Sequence, residues 1–127
     1  MPTTTGAAIS IGEVIPGIKG KFDGLAIRVP TFVVSLTDFT FLLKRDVTVE
    51  AVNEAIERAS HEDRFRGILE TTREPLVSSD LIGNPASSIV DLSLTKVVDG
   101  TLVKVIAWYD NEWGYSERLV DMALRIA

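Results

Sequence analysis

The stretch Lys96-Val-Val-Asp-Gly-Thr-Leu-Val-Lys-Val-Ile-Ala-Trp-Tyr-Asp-Asn-Glu-Trp-Gly-Tyr-Ser116 decides how the chain folds. Two runs of strand-forming residues flank Asp99-Gly100, a dipeptide suited to the left-handed backbone of a tight hairpin. The second run, Leu102 to Tyr109, is rich in β-branched and aromatic residues and is broken by Asp110-Asn111. Beyond it, Leu119, Val120, Ala123, Leu124 and Ile126 form an apolar stripe, so a terminal helix over 116–127 is expected, capped by Ser116. Trp108 to Ser116 is then a short strand-to-helix loop carrying aromatics, acids, an amide and a glycine. Such a loop is either a well-packed turn or a place where binding groups are mounted on a rigid scaffold.

The rest of the chain supplies more strands and two earlier helices. Thr5 is expected to cap a helix through Ala7, Ala8, Ile11, Val14 and Ile15, stopped by Pro16. Gly17, Gly20 and Gly24 punctuate a loop. Leu25 to Val29 reads as a strand ended by Pro30, and Phe32 to Leu43 as a longer one. Thr48 caps the clearest helix, with Val49, Val52, Ala55, Ile56 and Ala59 at helical spacing and Glu50, Glu54, Glu57 and Arg58 toward solvent. Short strands follow at Gly67 to Thr71, Ser88 to Leu94 and Lys96 to Val98. Strands dominate and a helix crosses in the middle, which predicts an α+β fold with a mixed, largely antiparallel sheet.

Composition narrows the function. The chain has 127 residues, is 46% hydrophobic, and carries a net charge of −5 with a pI near 4.8. One domain with a real core fits that length. An acidic chain with scattered Lys and Arg lacks the basic patch that nucleic acid needs. No apolar run approaches the roughly 20 residues of a membrane helix, and the N-terminus does not read as a signal peptide. A soluble cytoplasmic protein is expected. There is no cysteine, which removes disulfides and thiolate metal sites. No metal site is expected. The one histidine, His61, sits at the end of the central helix among Ser60, Glu62, Asp63 and Arg64 and reads as a solvated helix-end residue.

Three places have chemical character. Thr5-Gly6 opens a helix, where unpaired amides and the positive end of the dipole suit an anion; the plainer alternative is that Thr5 only caps the helix. Arg28 lies in an apolar strand, Leu-Ala-Ile-Arg-Val-Pro, and needs an anionic partner, an exit to water, or an ion pair such as one with Asp38. Asn111 offers both an amide donor and an acceptor. Glu112 has no second carboxylate at an acid–base spacing and reads as structural. The chain has no Gly-x-Gly-x-x-Gly fingerprint, so nothing in it argues for a complete dinucleotide fold.

Trp108-Tyr-Asp-Asn-Glu-Trp-Gly-Tyr-Ser116 resembles the late signature of phosphorylating glyceraldehyde-3-phosphate dehydrogenases. Pro2-Thr-Thr-Thr-Gly-Ala-Ala8, Val14-Ile-Pro16, Gly20-Lys-Phe-Asp-Gly-Leu-Ala-Ile-Arg-Val-Pro-Thr31, Gly67-Ile-Leu69, Leu76-Val-Ser-Ser-Asp80 and Ser87-Ser-Ile-Val-Asp91 are similar to that family in the same order. Tyr109 and Tyr115 favour it over the sister erythrose-4-phosphate dehydrogenases, which usually carry Cys and Phe there. The resemblance implies a mixed sheet with helices on one face, and it makes residues 1–127 the C-terminal part of a catalytic domain. The helix at 116–127 would pack on a nucleotide-binding domain that lies before this sequence in the family.

The resemblance also implies roles. Thr5 and Gly6 would help bind inorganic phosphate, Arg28 the phosphate of glyceraldehyde 3-phosphate, Asn111 the carboxamide of NAD or NADP, and Tyr115 would line that pocket. The family works through a thiolate activated by a histidine. With no cysteine and only His61, this chain is expected to be a fragment, inactive alone and not expected to bind NAD or NADP well by itself, of an enzyme that is a homo-oligomer when intact. The alternative is a non-catalytic binding or assembly domain that complements a separate N-terminal piece. Two departures stand out: Phe32-Val33-Val34-Ser35 replaces the common Pro-Asn-Val-Ser, and Glu117-Arg118 replaces Asn-Arg. The first is expected to alter the strand after Arg28.

Overall fold

A computed structural model describes the backbone of residues 1–127 and the side chains of all but Ala8 and Ile9. The chain divides into two compact units, Met1–Thr31 and Phe32–Ala127.

The first unit holds a two-stranded antiparallel ladder and one helix. Strand β1 (Pro2–Thr3) pairs with β2 (Ala26–Ile27) in the register Pro2↔Ile27 and Thr3↔Ala26. The strand expected over Leu25 to Val29 is therefore shorter than its β-forming composition suggests. Its partner is brief, because Pro2 has no N–H to donate and the chain leaves the ladder to start a helix at Gly6. Leu25, Ile27 and Val29 are all exposed. Helix α1 (Ala7–Val14) stops before Pro16, as its sequence predicts; Ala8, placed in its apolar stripe, lies outside the described side chains.

The second unit is a four-stranded sheet in the order β3-β6-β5-β4, built from β3 (Ser35–Leu42), β4 (Leu69–Thr72), β5 (Ser88–Val98) and β6 (Leu102–Tyr109). The β3–β6 and β5–β6 pairs are antiparallel and β4–β5 is parallel, so the sheet is mixed and largely antiparallel. Asp99 and Gly100 turn the β5–β6 hairpin with φ of 48° and 67°, the left-handed conformation that Asp tolerates and Gly prefers. The two strands read from Ser88 to Leu94 and Lys96 to Val98 are one strand. It is broken in register between Asp91, opposite Ile106, and Lys96, opposite Lys104. Asp91 is buried in that bulge, its Oδ1 accepting from the Ser93 hydroxyl at 2.6 Å and the Ser93 N–H at 3.1 Å.

Alternate pleats of the sheet serve two clusters. Val90, Leu92, Val103, Val105 and Ala107 face one way, with Phe39 and with Val52 and Ile56 of helix α2 (Val49–Ser60) packed against them. Thr48 caps α2 by accepting from the Ala51 N–H at 3.2 Å, as expected. The stripe is not purely apolar, however. Ala55 is exposed, Asn53 is buried, and Asn53 Nδ2 donates to the Leu92 carbonyl at 3.0 Å. Glu57 is only half-exposed because Arg73 pairs with it at 3.1 Å. The opposite pleats, Ile89 and Trp108, join Val34, Leu81, Ala86 and Leu76.

Two element boundaries move from their expected places. Strand β3 begins at Ser35 rather than Phe32, because Val34 adopts φ 73° and ends the extended run behind it. A β-branched residue in that region stores roughly 1–3 kcal/mol of strain, held here by burial of its side chain. Helix α3 runs Trp113–Ile126, not 116–127. It starts early because Asp110, not Ser116, satisfies its first amides.

Candidate functional site

The strand-to-helix loop is organised by Asp110. Its carbonyl accepts from the Gly114 N–H at 3.0 Å, and its Oδ1 accepts from Glu112 and Trp113 N–H at 3.0 and 2.9 Å. That is how an N-cap residue behaves. The other carboxylate oxygen takes the Gly83 N–H at 2.9 Å, so one buried side chain ties α3 to the segment before β5. Burial pushes the Asp110 carboxyl up, but the N–H donors of Trp113, Gly83 and Glu112 outweigh it and hold the pKa below the ordinary aspartate value. Ser116, the expected cap, instead donates its hydroxyl to the Glu112 carbonyl at 2.8 Å.

Two further contacts fix α3 in place. Gly114 is buried, and a Cβ added there would stand 3.0 Å from the Ala86 carbonyl oxygen. Arg118 donates through Nη1 to the Gly67 carbonyl and the Ser87 hydroxyl, each at 3.1 Å. Its Nε lies 2.8 Å from Asp121 Oδ2, an ion-pair distance, although the N–H does not point at that oxygen. The functional candidates ride on this frame. Asn111 is exposed in the turn just before α3, and its Oδ1 accepts from the Ser35 hydroxyl at 3.3 Å. Tyr115 and Trp113 are exposed beside it on the helix. Sequence reasoning missed Ser35, Asp110 and Gly114 as working parts. Asp110 could have been found, since an Asp directly after a strand and before a helix is a recognised start signal.

In the first unit, Thr5 and Gly6 immediately precede α1, but the cap falls on Gly6 and not, as expected, on Thr5, because the chain already turns into helical backbone at Gly6. Gly6 is the cap position and Thr5 is one residue before it; the Thr5 hydroxyl oxygen accepts from the Ala7 N–H at 3.2 Å. An added Cβ at Gly6 would meet nothing within 4 Å, and its φ of −72° needs no glycine. Neither the fold of α1 nor its backbone accounts for the missing side chain. Arg28 is exposed just past β2, where its N–H donates to the Met1 carbonyl at 2.9 Å and its carbonyl accepts from the Met1 ammonium at 2.7 Å. It therefore sits at the end of the ladder remote from Thr5, so these are two separate anion candidates. Asp38, considered as an ion-pair partner for Arg28, pairs with Lys104 at 2.6 Å.

Among the described residues, no helix is long and apolar enough to cross a membrane, and no group of three or more His, Cys, Asp or Glu could hold a metal ion.

The model of the C-terminal domain of glyceraldehyde 3-phosphate dehydrogenase matches residues 1–111. A glyceraldehyde-3-phosphate dehydrogenase of Zymomonas mobilis is 51% identical over all 127 residues, which cover 38% of that relative. The chromosomal enzyme of Cupriavidus necator is 54% identical over the same span, 37% of its length. Glyceraldehyde-3-phosphate dehydrogenase 2 of Staphylococcus aureus is 52% identical over 126 residues, covering 99% of this chain and 36% of that one. The chain thus spans well under half the length of the curated relatives it matches.

Proposed function

The chain belongs to the family of glyceraldehyde 3-phosphate dehydrogenase C-terminal domains, and from that premise we propose that it supplies part of the binding surface of a glycolytic oxidoreductase. The reaction is the conversion of glyceraldehyde 3-phosphate, inorganic phosphate and NAD to 1,3-bisphosphoglycerate, with NADP as the alternative cofactor. Thr5 and Gly6 bind inorganic phosphate at the start of α1, where the positive end of the helix dipole favours an anion. Arg28 binds the phosphate of the substrate, for which its planar, fork-shaped donor set is suited. Asn111 pairs with the carboxamide of the nicotinamide, and Tyr115 lines the same pocket. The complete protein works as a cytoplasmic homo-oligomer.

The isolated chain does not turn over. Covalent aldehyde oxidation needs an activated thiolate, and the sequence contains no cysteine and only one histidine. That composition, within a family match over residues 1–111, is the observation that carries the reading. Purified 127-residue chain mixed with glyceraldehyde 3-phosphate, phosphate and NAD should produce no NADH above the buffer background. Turnover that survives repurification refutes it.

A further inference from the structure

We propose that Ser35 is a positioning residue for Asn111: its hydroxyl holds the amide oxygen inward and leaves the NH2 group outward, so that Asn111 reads an acceptor oxygen on its ligand. The proposal rests on the reading of Asn111 as the nicotinamide contact.

An asparagine side chain is ambiguous, with two donors at one end and an acceptor at the other. Rotating it by half a turn reverses what a ligand meets. Among the described residues, the Ser35 hydroxyl is what Asn111 engages with its side chain, donating to Oδ1 at 3.3 Å. The NH2 is then the end left to an incoming group. A hydroxyl contact of that length is longer than the optimum, and such contacts in unliganded sites tighten when the ligand arrives. An acceptor drawing on the NH2 would polarise the amide and strengthen the hydrogen bond at its oxygen.

Independent features put Ser35 in this position. It is the first residue of β3 and lies opposite Tyr109, the last residue of β6, in the ladder that leads into the Asn111 loop. The residue before it, Val34, is held in the left-handed region with φ 73° and is buried among Leu81, Ala86 and Ile89. A strained backbone persists only where its surroundings over-determine it. On the other side, the buried Asp110 carboxylate fixes the backbone next to Asn111. Donor and acceptor are each mounted on a fixed base.

The test uses the 127-residue chain, isotopically labelled, with the Asn111 side-chain NH2 signals identified by their loss in Asn111→Asp. Ser35→Ala should move both signals, and Ser35→Thr should restore them, while the Val103 and Val105 backbone amides report that the sheet is intact. Free nicotinamide and 3-acetylpyridine are then titrated. The second has the ring carbonyl but no NH2, so an outward NH2 on Asn111 predicts equal responses to both. Ser35→Ala should weaken each response roughly two- to tenfold, the range of one neutral hydrogen bond. Asn111 signals that ignore Ser35→Ala in a folded sheet, or that respond to nicotinamide and not to 3-acetylpyridine, overturn the proposal. If the signals follow Ser35 but neither probe shifts them, the positioning role stands and the nicotinamide reading fails for this chain.

Discussion

Asp110 Oδ2 accepts the Gly83 N–H at 2.9 Å, joining the start of α3 to a turn 27 residues earlier in the chain. Because the other oxygen of the same carboxylate caps the helix, removing it undoes two connections together. Asp110→Ala should cost about 1–3 kcal/mol, the range for stranding buried donors and losing a cap. Asp110→Asn keeps one acceptor and should cost less. Urea unfolding of the two variants beside the parent chain gives the ranking, and equal midpoints for all three would contradict it.

The same carboxylate predicts an acid limb in stability. Its folded pKa lies below the ordinary aspartate value because the backbone N–H donors outweigh burial. A folded pKa below the unfolded one means that the ionised form stabilises the fold. The contribution is complete above the unfolded value, about 4, and is lost as pH falls through the folded one. Stability should therefore fall below about pH 4, and Asp110→Asn should flatten that part of the profile. A profile of unchanged steepness in the variant would show that other carboxylates control the acid limb.

Gly114→Ala sets two effects of opposite sign against each other. Alanine favours a helix by about 1 kcal/mol over glycine. Here its Cβ would stand 3.0 Å from the carbonyl oxygen of Ala86, a fully buried residue whose own N–H is held by Asn84 at 2.8 Å. A neighbour pinned in that way yields little, and overpacking of this kind costs about 1–3 kcal/mol. The variant should be destabilised by about 1 kcal/mol net, read from its unfolding midpoint. A gain in stability would mean that the Ala86 segment moves aside freely.

Most of the sheet was legible because it follows from local rules. The Asp99-Gly100 turn, the Leu102–Tyr109 strand and the Thr48 cap each depend on neighbours in sequence. What could not be read depends on distant partners. Asp110 displaces Ser116 as the cap because Gly83 and burial complete its coordination. Asn53 enters an otherwise apolar stripe because the Leu92 carbonyl needs a donor. Phe32 to Val34 looks like strand, but tertiary burial of Val34 outweighs propensity and delays β3 to Ser35. The site residues are a different case. Their roles came from the resemblance, and Ser35 at Asn111 is visible only once β3 is paired with β6.

Helix α3 carries a run of large apolar side chains in solvent: Leu119, Val120, Met122, Leu124 and Ile126 are each more than half exposed. In the isolated chain this face should drive self-association that increases with concentration. Replacing Leu119 and Leu124 together with Glu should abolish it and leave the sheet folded, since neither side chain belongs to the buried clusters. Sedimentation velocity over a range of concentrations decides the matter. A parent chain that stays monomeric with α3 ordered rules the prediction out.

Thr5 and Arg28 should differ both in which anion they affect and in how strongly. The Thr5 hydroxyl oxygen already accepts from the Ala7 N–H, so its proton is left to donate to an anion at the head of α1. Thr5→Ala removes that one neutral donor and leaves the amides, so in a complete dehydrogenase carrying this domain it should weaken the use of inorganic phosphate by about 1 kcal/mol. Arg28→Ala removes a charged donor and should weaken the use of glyceraldehyde 3-phosphate by about 2–3 kcal/mol. In the 127-residue chain alone, phosphate or sulfate should bind weakly, on the order of millimolar, and in a salt-dependent way. Backbone amide signals followed through such a titration locate the sites. Movement at Thr5, Gly6 and Arg28 is the expected outcome. If those three stay still at high anion concentration while signals elsewhere respond, the phosphate assignment is wrong for this chain.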